Sequence, residues 1–172
     1  MMTPRKLQAN ESSEYFKKYI NLVETENIVA ALKNQLTDIE QFFREWPKDK
    51  WDHAYAEGKW TIKEVLIHMM DAERILAYRA LRIARNDATS LPGFDQDKFA
   101  PFMNAANRSA ESIMSEYRAV RMATIALVEN LDDAALSRIG TASNAPASPL
   151  SMAFVIAGHE IHHMNAVREK YI

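Results

Sequence analysis

Three of the chain's five histidines fall in one short segment, His159-Glu160-Ile161-His162-His163. His159 and His163 are four positions apart, so on a helix their imidazoles project from one face about one turn apart. Two imidazoles placed in this way suit one metal ion, because histidine nitrogen is a common ligand of zinc and other transition metals. Five histidines in a chain of this length produce that spacing by chance in roughly one sequence in nine, so the spacing alone is a weak signal.

The position of this pair on its predicted helix strengthens the metal interpretation. Residues at helical spacing on the same face are apolar: Met152, Ile156 and Val167. His68, on an earlier predicted helix, also lies on an apolar face. Buried imidazoles require polar partners. Two alternatives follow, a metal site of His68, His159 and His163 with open positions for water or substrate, or core histidines that hydrogen-bond to neighbours.

The same segment matches H-E-x-x-H, the helix motif of zinc metalloproteases. The extended form of that motif requires glycine at position 166 and histidine at position 169, where the chain has Ala166 and Glu169. Only nine residues follow His163, which leaves little room for the usual third ligand. Glu160 is a candidate base for a metal-activated water, and the alternative is a solvated or salt-bridged helix residue.

Further polar residues near the three histidines could support them. Asp71 lies three residues after His68 and Glu64 lies four residues before it, so either carboxylate could orient that imidazole. The alternative is that Asp71 and Glu64 are ordinary exposed charges, which are common at this spacing on a helix surface. His162 is one position away from the His159–His163 face, and we interpret it as an outer neighbour of the ligands or as an interfacial residue.

Other side chains on or beside the second predicted helix have two interpretations each. Arg79 could hold an anionic group of a substrate at the mouth of a bundle, or it could belong to an exposed, salt-bridged face with Arg82 and Arg85. Trp60 could plug one end of the bundle or pack in the core. His53 lies in a charged loop and is expected at the surface.

Four long amphipathic segments must position these residues. Apolar residues recur at three- and four-residue steps, which predicts helices over about 25–46, 61–85, 105–131 and 150–169. Thr25 is the expected N-cap of the first helix, Pro47 marks its end, and Thr61 with Glu64 forms a capping box. No convincing strand pattern is present. An all-α four-helix bundle follows, in which the long connections 86–104 and 132–149 permit at least one crossover.

Composition bounds the remaining possibilities. The 172 residues correspond to about one domain. Lys plus Arg total 21 and Asp plus Glu total 23, a net charge of −2 that argues against nucleic acid as a partner. The chain contains no cysteine, which excludes disulfides, cysteine-ligated metals and a cysteine nucleophile. The sequence has no apolar leader and no run long enough to span a membrane, so a cytoplasmic setting is expected.

The sequence resembles the DinB-like superfamily of metal-dependent enzymes, which includes YfiT-type hydrolases and thiol transferases. The resemblance covers most of residues 19–172, and its segments occur in the family's order. Residues 1–18 fall outside it as an N-terminal extension, which leaves 19–172 as a single domain. The matching segments are 58–68, 71–74, 78–85, 91–97, 117–121 and 158–163.

The resemblance implies a DinB-type four-helix bundle that is often a homodimer. It also implies a divalent metal, commonly nickel or zinc, bound at the positions of His68, His159 and His163. The implied activity is that of a hydrolase or a low-molecular-weight-thiol S-transferase acting on a small molecule. Long ordered connections tend to be functional, so we expect residues 86–104 to shape the pocket. Because the chain has no cysteine, any sulfur in the chemistry would come from the substrate.

A rival class is a non-catalytic bundle, a stress-linked binding or dimerisation module in which the histidine cluster is structural. A metal held by four protein ligands with no open position would favour this rival.

Overall fold

The computed structural model describes residues 4–172, so the first three residues of the predicted extension lie outside the described part of the chain. Four long helices dominate it, as the apolar periodicity predicts. The α-helices are α1 (Glu14–Ile20), α2 (Ile28–Arg44), α3 (Ile62–Ala84), α4 (Gln96–Phe99), α5 (Ala110–Glu129), α6 (Asp133–Leu136) and α7 (Pro149–Lys170). Two strands, β1 (Gly140–Ala142) and β2 (Ala145–Ala147), form an antiparallel hairpin.

The long helices α2, α3, α5 and α7 form the predicted four-helix bundle. Helix α3 packs against α5 and α7, and α2 packs against the same two helices. Consecutive helices α2 and α3 therefore occupy opposite corners of the bundle, and the connections between helices cross its ends. Among residues 4–172, no helix combines the length and the apolar character that crossing a bilayer requires.

The start of α3 is confirmed as a capping box. The Thr61 hydroxyl oxygen accepts a hydrogen bond from the Glu64 N–H at 3.2 Å, and the Glu64 carboxylate accepts one from the Thr61 N–H at 2.7 Å. The N-cap predicted for α2 is wrong. Asn27 caps that helix by accepting a hydrogen bond from the Ala30 N–H, and Thr25, two residues earlier, instead accepts one from the Asn27 N–H.

Helix α5 begins later than its apolar pattern predicts. Residues Ala105–Asn107 form a separate 3-10 turn that follows Asn104, whose φ of 52° is left-handed. Ser109 then caps α5 by accepting a hydrogen bond from the Ser112 N–H at 3.1 Å. The break at Arg108 and Ser109 lies in polar residues between apolar positions, and the apolar periodicity alone predicts one continuous helix across it.

The β1–β2 hairpin was not predicted. Its turn residues Ser143 and Asn144 have φ values of 52° and 61°, the left-handed pair that a tight two-residue hairpin requires. Leu91 pairs with the hairpin through Thr141 and Ser143 backbone groups at 2.9 Å, which ties the 86–104 connection to it. Strands of three residues are too short to display a recognisable alternation.

Helix α1 packs directly on α7, and the predicted boundary at residue 18 falls inside it. A Cβ atom built on Gly158 would lie 2.0 Å from the Tyr19 carbonyl oxygen, so only glycine permits this contact. Before α1, the Ser148 N–H donates to the Glu11 carbonyl at 3.0 Å, and Arg5 pairs with the Glu11 carboxylate at 2.7 Å. The division into residues 1–18 and 19–172 stays a prediction.

The bundle interior consists of two apolar clusters with a polar layer between them. One cluster surrounds α1, the hairpin, the C-terminal half of α3 and the N-terminal half of α7. The other joins the C-terminal half of α2, the N-terminal half of α3 and the C-terminal half of α7. The polar layer lies where each long helix passes from one cluster to the other. Its buried or half-buried members are Gln35, His68, Glu73, Arg121, His159 and Glu160.

Candidate metal centre

Helices α3 and α7 bring three histidines to one point in this layer. His68 lies on α3, and His159 and His163 lie one turn apart on α7. The Nε2 atom of His159 is 3.1 Å from that of His68 and 3.1 Å from that of His163. One ring nitrogen from each lies within 4.8 Å of the other two. The three residues, His68, His159 and His163, are called the histidine triad below.

Hydrogen bonds within the triad do not satisfy all three imidazoles. Each neutral imidazole has one N–H and one lone pair. The Nε2 atoms of His68 and His163 both contact the Nε2 atom of His159. That atom carries either one proton or one lone pair, so it cannot form a full hydrogen bond with both neighbours. A cation at the point of convergence would accept three lone pairs at once, so the donor set fits a divalent metal better than it fits a closed hydrogen-bond cluster.

Burial keeps these imidazoles neutral, as metal ligands must be. Desolvation lowers the pKa of His68 to about 4 and that of His163 to about 3. Burial also lowers the pKa of His159 well below its ordinary range, and the neighbouring imidazoles lower it further. At neutral pH the three side chains therefore present lone pairs rather than positive charges.

A pocket of about 340 Å³ opens beside His163. We call it the His163 pocket. Aromatic and charged side chains surround it: Tyr55, Lys59, Trp60, Asp97, His162 and Tyr171. Asp97 comes from the 86–104 connection, which the sequence predicts to shape the pocket. Three protein ligands leave room for a further ligand, and an adjoining pocket of this size could admit a small molecule.

Two aromatic rings hold the imidazoles in place. The Trp60 ring centre lies 4.8 Å from that of His68, so Trp60 lies against the triad rather than only closing the bundle end. The Tyr19 ring meets His159 edge-to-face at 5.3 Å and His162 at 5.5 Å. Because Tyr19 lies in the last turn of α1 over Gly158, the N-terminal helix covers one side of the histidine triad.

A second buried polar group lies next to the triad. Arg121 on α5 donates to the Glu73 carboxylate through Nε and Nη2, each at 2.9 Å, and to Glu160 through Nη2 at 2.9 Å. Its Nη1 donates to the Gln35 side-chain oxygen at 3.1 Å. The Tyr117 hydroxyl donates to Glu160 at 2.7 Å. We call Gln35, Glu73, Tyr117, Arg121 and Glu160 the Arg121 network.

Burial and neighbouring charges act in opposite directions on the pKa values of Arg121 and Glu160. Burial by itself would lower the pKa of Arg121, but Glu160 and Glu73 raise it above its ordinary value. Burial raises the pKa of Glu160, with Arg121 and the Tyr117 hydroxyl opposing that rise. Burial and the Glu160 charge raise the pKa of Tyr117 well above its usual range, so its phenol stays protonated and donates.

Glu160 lies inside the Arg121 network and not among the residues that line the His163 pocket. Its side chain is almost completely buried, and its carboxylate accepts hydrogen bonds from Tyr117 and Arg121. The salt-bridged alternative therefore describes its position, and the carboxylate joins α5 to α7 rather than facing the pocket.

The remaining candidate neighbours of the triad are placed differently. Asp71 is half-buried and forms a salt bridge with Arg74 at 3.8 Å, and it makes no hydrogen bond to the triad within residues 4–172. Glu64 serves the capping box of α3. His162 is exposed, lines the pocket and meets the His163 ring at 5.2 Å.

Arg79 is buried and lies away from the triad. Its Nη2 donates to the Pro92 carbonyl at 2.7 Å and its guanidinium lies 5.8 Å from the Phe94 ring centre. It therefore anchors the 86–104 connection, and the exposed, salt-bridged alternative does not describe it. His53 is exposed, as expected.

The Arg121 network was not anticipated from the sequence. A signal for it does exist, because Tyr117 and Arg121 are four positions apart on the apolar face of α5. A charged residue on such a face requires a buried counter-charge. Which carboxylates supply it depends on the packing of α5 against α3 and α7, which local spacing does not specify.

Comparisons with known proteins agree with this architecture. A protein of Oceanobacillus iheyensis, named provisionally as a metal-dependent hydrolase, is 24% identical over 175 residues, which cover 98% of this chain and 90% of that protein. The solved structure of YfiT from Bacillus subtilis superimposes with a TM-score of 0.66 and 17% identity, covering 96% of this chain and 90% of YfiT.

YfiT is itself described, again provisionally, as a metal-dependent hydrolase with an unusual four-helix bundle topology. The likeness in structure therefore supports the four-helix bundle fold. A model of the DinB superfamily matches residues 31–167, which contain all three histidines of the triad and the whole Arg121 network. The chain belongs to the DinB superfamily.

Proposed function

We propose that this protein is a metal-dependent hydrolase in which His68, His159 and His163 hold one divalent ion, nickel or zinc. The observation that carries the proposal is the convergence of three neutral Nε2 atoms, with two contacts of 3.1 Å, beside a pocket of about 340 Å³. The relatives named as metal-dependent hydrolases support the same reaction class.

The protein's own residues would hold the ion and shape the space for a substrate. A bound divalent ion would supply Lewis-acid chemistry, which lowers the pKa of a water or thiol that reaches it. His68 enters from α3 and the other two imidazoles from α7, so the ligands are fixed by rigid helices. Trp60 and Tyr19 pack against the imidazoles from two sides, and the pocket beside His163 would admit the substrate.

A low-molecular-weight-thiol S-transferase is the second candidate. The pocket volume is compatible with a transferase, because about 340 Å³ accommodates a thiol substrate much larger than a water molecule. The chain has no cysteine, so the attacking sulfur would arrive with that molecule. Lys59 and His162 at the pocket wall could contact its polar groups.

Metal content tests the site. The untagged wild-type protein should take up about one equivalent of nickel or zinc, and His163→Ala should take up much less. His162→Ala is the matched control, since His162 is exposed beside the triad and should leave metal content unchanged. No uptake of nickel, zinc, manganese or iron by the wild type would contradict the proposal.

Coordination number separates the enzyme from the rival structural bundle. X-ray absorption of the zinc form should show three imidazole ligands with at least one exchangeable position. A fourth protein ligand with no exchangeable position would favour the structural role. Loss of metal in His162→Ala and His163→Ala alike would show that the ligand face is wrong.

The reaction is tested on the metal-loaded protein. Panels of esters, amides and thiol–electrophile pairs should give turnover in one class, and His163→Ala should abolish it. Turnover of esters or amides supports the hydrolase, and thiol-dependent conjugation supports the transferase. The homodimer and the cytoplasmic setting stay predictions from the sequence.

A further inference from the structure

We propose that the Arg121 network sets the position of α7 relative to α3 and thereby the geometry and affinity of the metal site. Arg121 is then a positioning residue for the histidine triad, although it supplies no ligand. The inference rests on the proposed function, because it concerns the metal that the triad would hold.

The network joins all four long helices through one guanidinium. Arg121 belongs to α5, and its hydrogen-bond partners Glu73, Glu160 and Gln35 belong to α3, α7 and α2. Gln35 adds a second link to α7, since its Nε2 donates to the Ala157 carbonyl at 3.0 Å. A shift of α7 along α3 would break several of these bonds at once.

The same two helices carry the ligands, immediately beside the network. Glu160 follows His159 directly in α7, and Glu73 lies five residues after His68, about 7.5 Å along α3. His159 also lines the same narrow interior crevice as Glu73, Arg121 and Glu160. The relative position that the network fixes is therefore the one that determines the His68–His159 separation.

The energetics of buried charge favour this role over simple stabilisation. Arg121 is 1% exposed, Glu160 is 3% exposed and Glu73 is 4% exposed. Replacing such a buried ion group by well-packed apolar residues is often neutral or stabilising, because the desolvation cost of the charges is removed. Directional bonds fix helix register in a way that apolar contacts do not. Ligand distances in metal sites tolerate only about 0.2 Å of displacement, so register matters here.

The decisive experiment separates stability from metal binding. In a Tyr117→Phe background, which removes the hydroxyl that would otherwise lose its acceptor Glu160, a triple variant with Glu73→Leu, Arg121→Met and Glu160→Leu should remain folded, with thermal stability equal to or above that of the wild type. Its zinc affinity, measured by chelator competition, should fall about 10- to 100-fold, the usual effect of losing groups that support metal ligands. The absorption spectrum of bound Co²⁺ should change shape, which reports altered coordination.

Three further variants keep the test decisive. Gln35→Ala removes only the links to α2 and should lower zinc affinity less than the triple variant does. Glu73→Gln keeps the shape of the Arg121 contact while removing a charge, and should lower affinity by less than about tenfold. Arg118→Met is the matched control on α5, because exposed Arg118 pairs with Glu40 of α2 and should leave affinity and spectrum unchanged.

The outcomes distinguish this inference from the proposed function. Wild-type protein that binds no metal overturns both. Wild-type protein that binds metal, with a triple variant of the same affinity and Co²⁺ spectrum, overturns the positioning role alone. Full loss of affinity in Glu73→Gln would also overturn it, because charge rather than helix position would then control the site.

Discussion

The two buried polar clusters of this bundle lie side by side on α7 and differ in how completely they are satisfied. In the Arg121 network, one guanidinium meets two carboxylates and an amide, and Glu160 receives a further bond from Tyr117. In the histidine triad, three neutral imidazoles point their Nε2 atoms at one another. The first cluster is complete within the protein, whereas the second converges on a point where a cation could accept its lone pairs.

This difference explains why adjacent residues take separate roles. His159 and Glu160 are neighbours in sequence, yet successive helical positions point about 100° apart. His159 faces the imidazoles of His68 on α3 and His163 on α7, and Glu160 faces Tyr117 and Arg121 on α5. A motif that places a carboxylate between two histidines therefore does not by itself place that carboxylate at the metal.

The largest expected effect breaks the complete cluster. Arg121→Ala leaves two buried carboxylates without their cation, so the free energy of unfolding should fall by about 3–5 kcal/mol. Arg118→Ala, one turn earlier at an exposed ion pair, should cost about 1 kcal/mol or less. Urea unfolding measures both, and equal losses in the two variants would contradict the distinction between buried and exposed pairs.

The next effect comes from completing the unsatisfied cluster. Zinc at about 100 times its dissociation constant should raise the free energy of unfolding of the wild type by roughly 2.7 kcal/mol, because only the folded chain assembles the triad. His159→Ala should lose this increment, while Asn165→Ala on the exposed face of α7 should retain it. The same zinc-dependent rise in His159→Ala would show that the ion binds elsewhere.

A smaller effect concerns the contact between Gly158 of α7 and Tyr19 of α1, which lies beside the histidine triad and not beside the Arg121 network. Gly158→Ala improves helix propensity by about 1 kcal/mol, but its Cβ would meet the Tyr19 carbonyl at 2.0 Å. Overpacking of this kind costs about 1–3 kcal/mol, so we expect net destabilisation and weaker zinc binding as Tyr19 moves off His159. Calorimetry and chelator competition measure the two effects. An increase in melting temperature would indicate that α1 does not hold this position.

The smallest effect concerns the N-cap of α3, the helix that contributes residues to both clusters. Thr61→Ala removes the N-cap of α3, the helix that carries both His68 and Glu73, and should lower stability by about 1 kcal/mol. Because this cap lies at the helix end, zinc affinity should stay close to that of the wild type. Thr61→Ser preserves the hydroxyl and is the matched control. A large loss of zinc affinity in Thr61→Ala alone would mean that the end of α3 shapes the site directly.

Sequence periodicity predicted the elements of this fold better than their ends. The apolar spacing located all four long helices, and the Thr61 capping box was identified from residue types alone. The true N-cap at Asn27 and the late start of α5 depend on backbone turns of a few residues. Several residues near each terminus can make similar local bonds, so the sequence permits more than one end.

By itself, the sequence determined which chemistry is available: imidazoles at helical spacing on an apolar face, no cysteine, and four amphipathic helices. Helical spacing is a local property, so it places His159 and His163 on one face without further information. Only the tertiary structure decided that His68 contacts His159. It also decided that Arg121 forms hydrogen bonds with Glu73 and Glu160, and that α1 packs against Gly158. Those contacts join residues 39 to 139 positions apart, and the packing of whole helices, rather than the spacing within any one of them, fixes such distances.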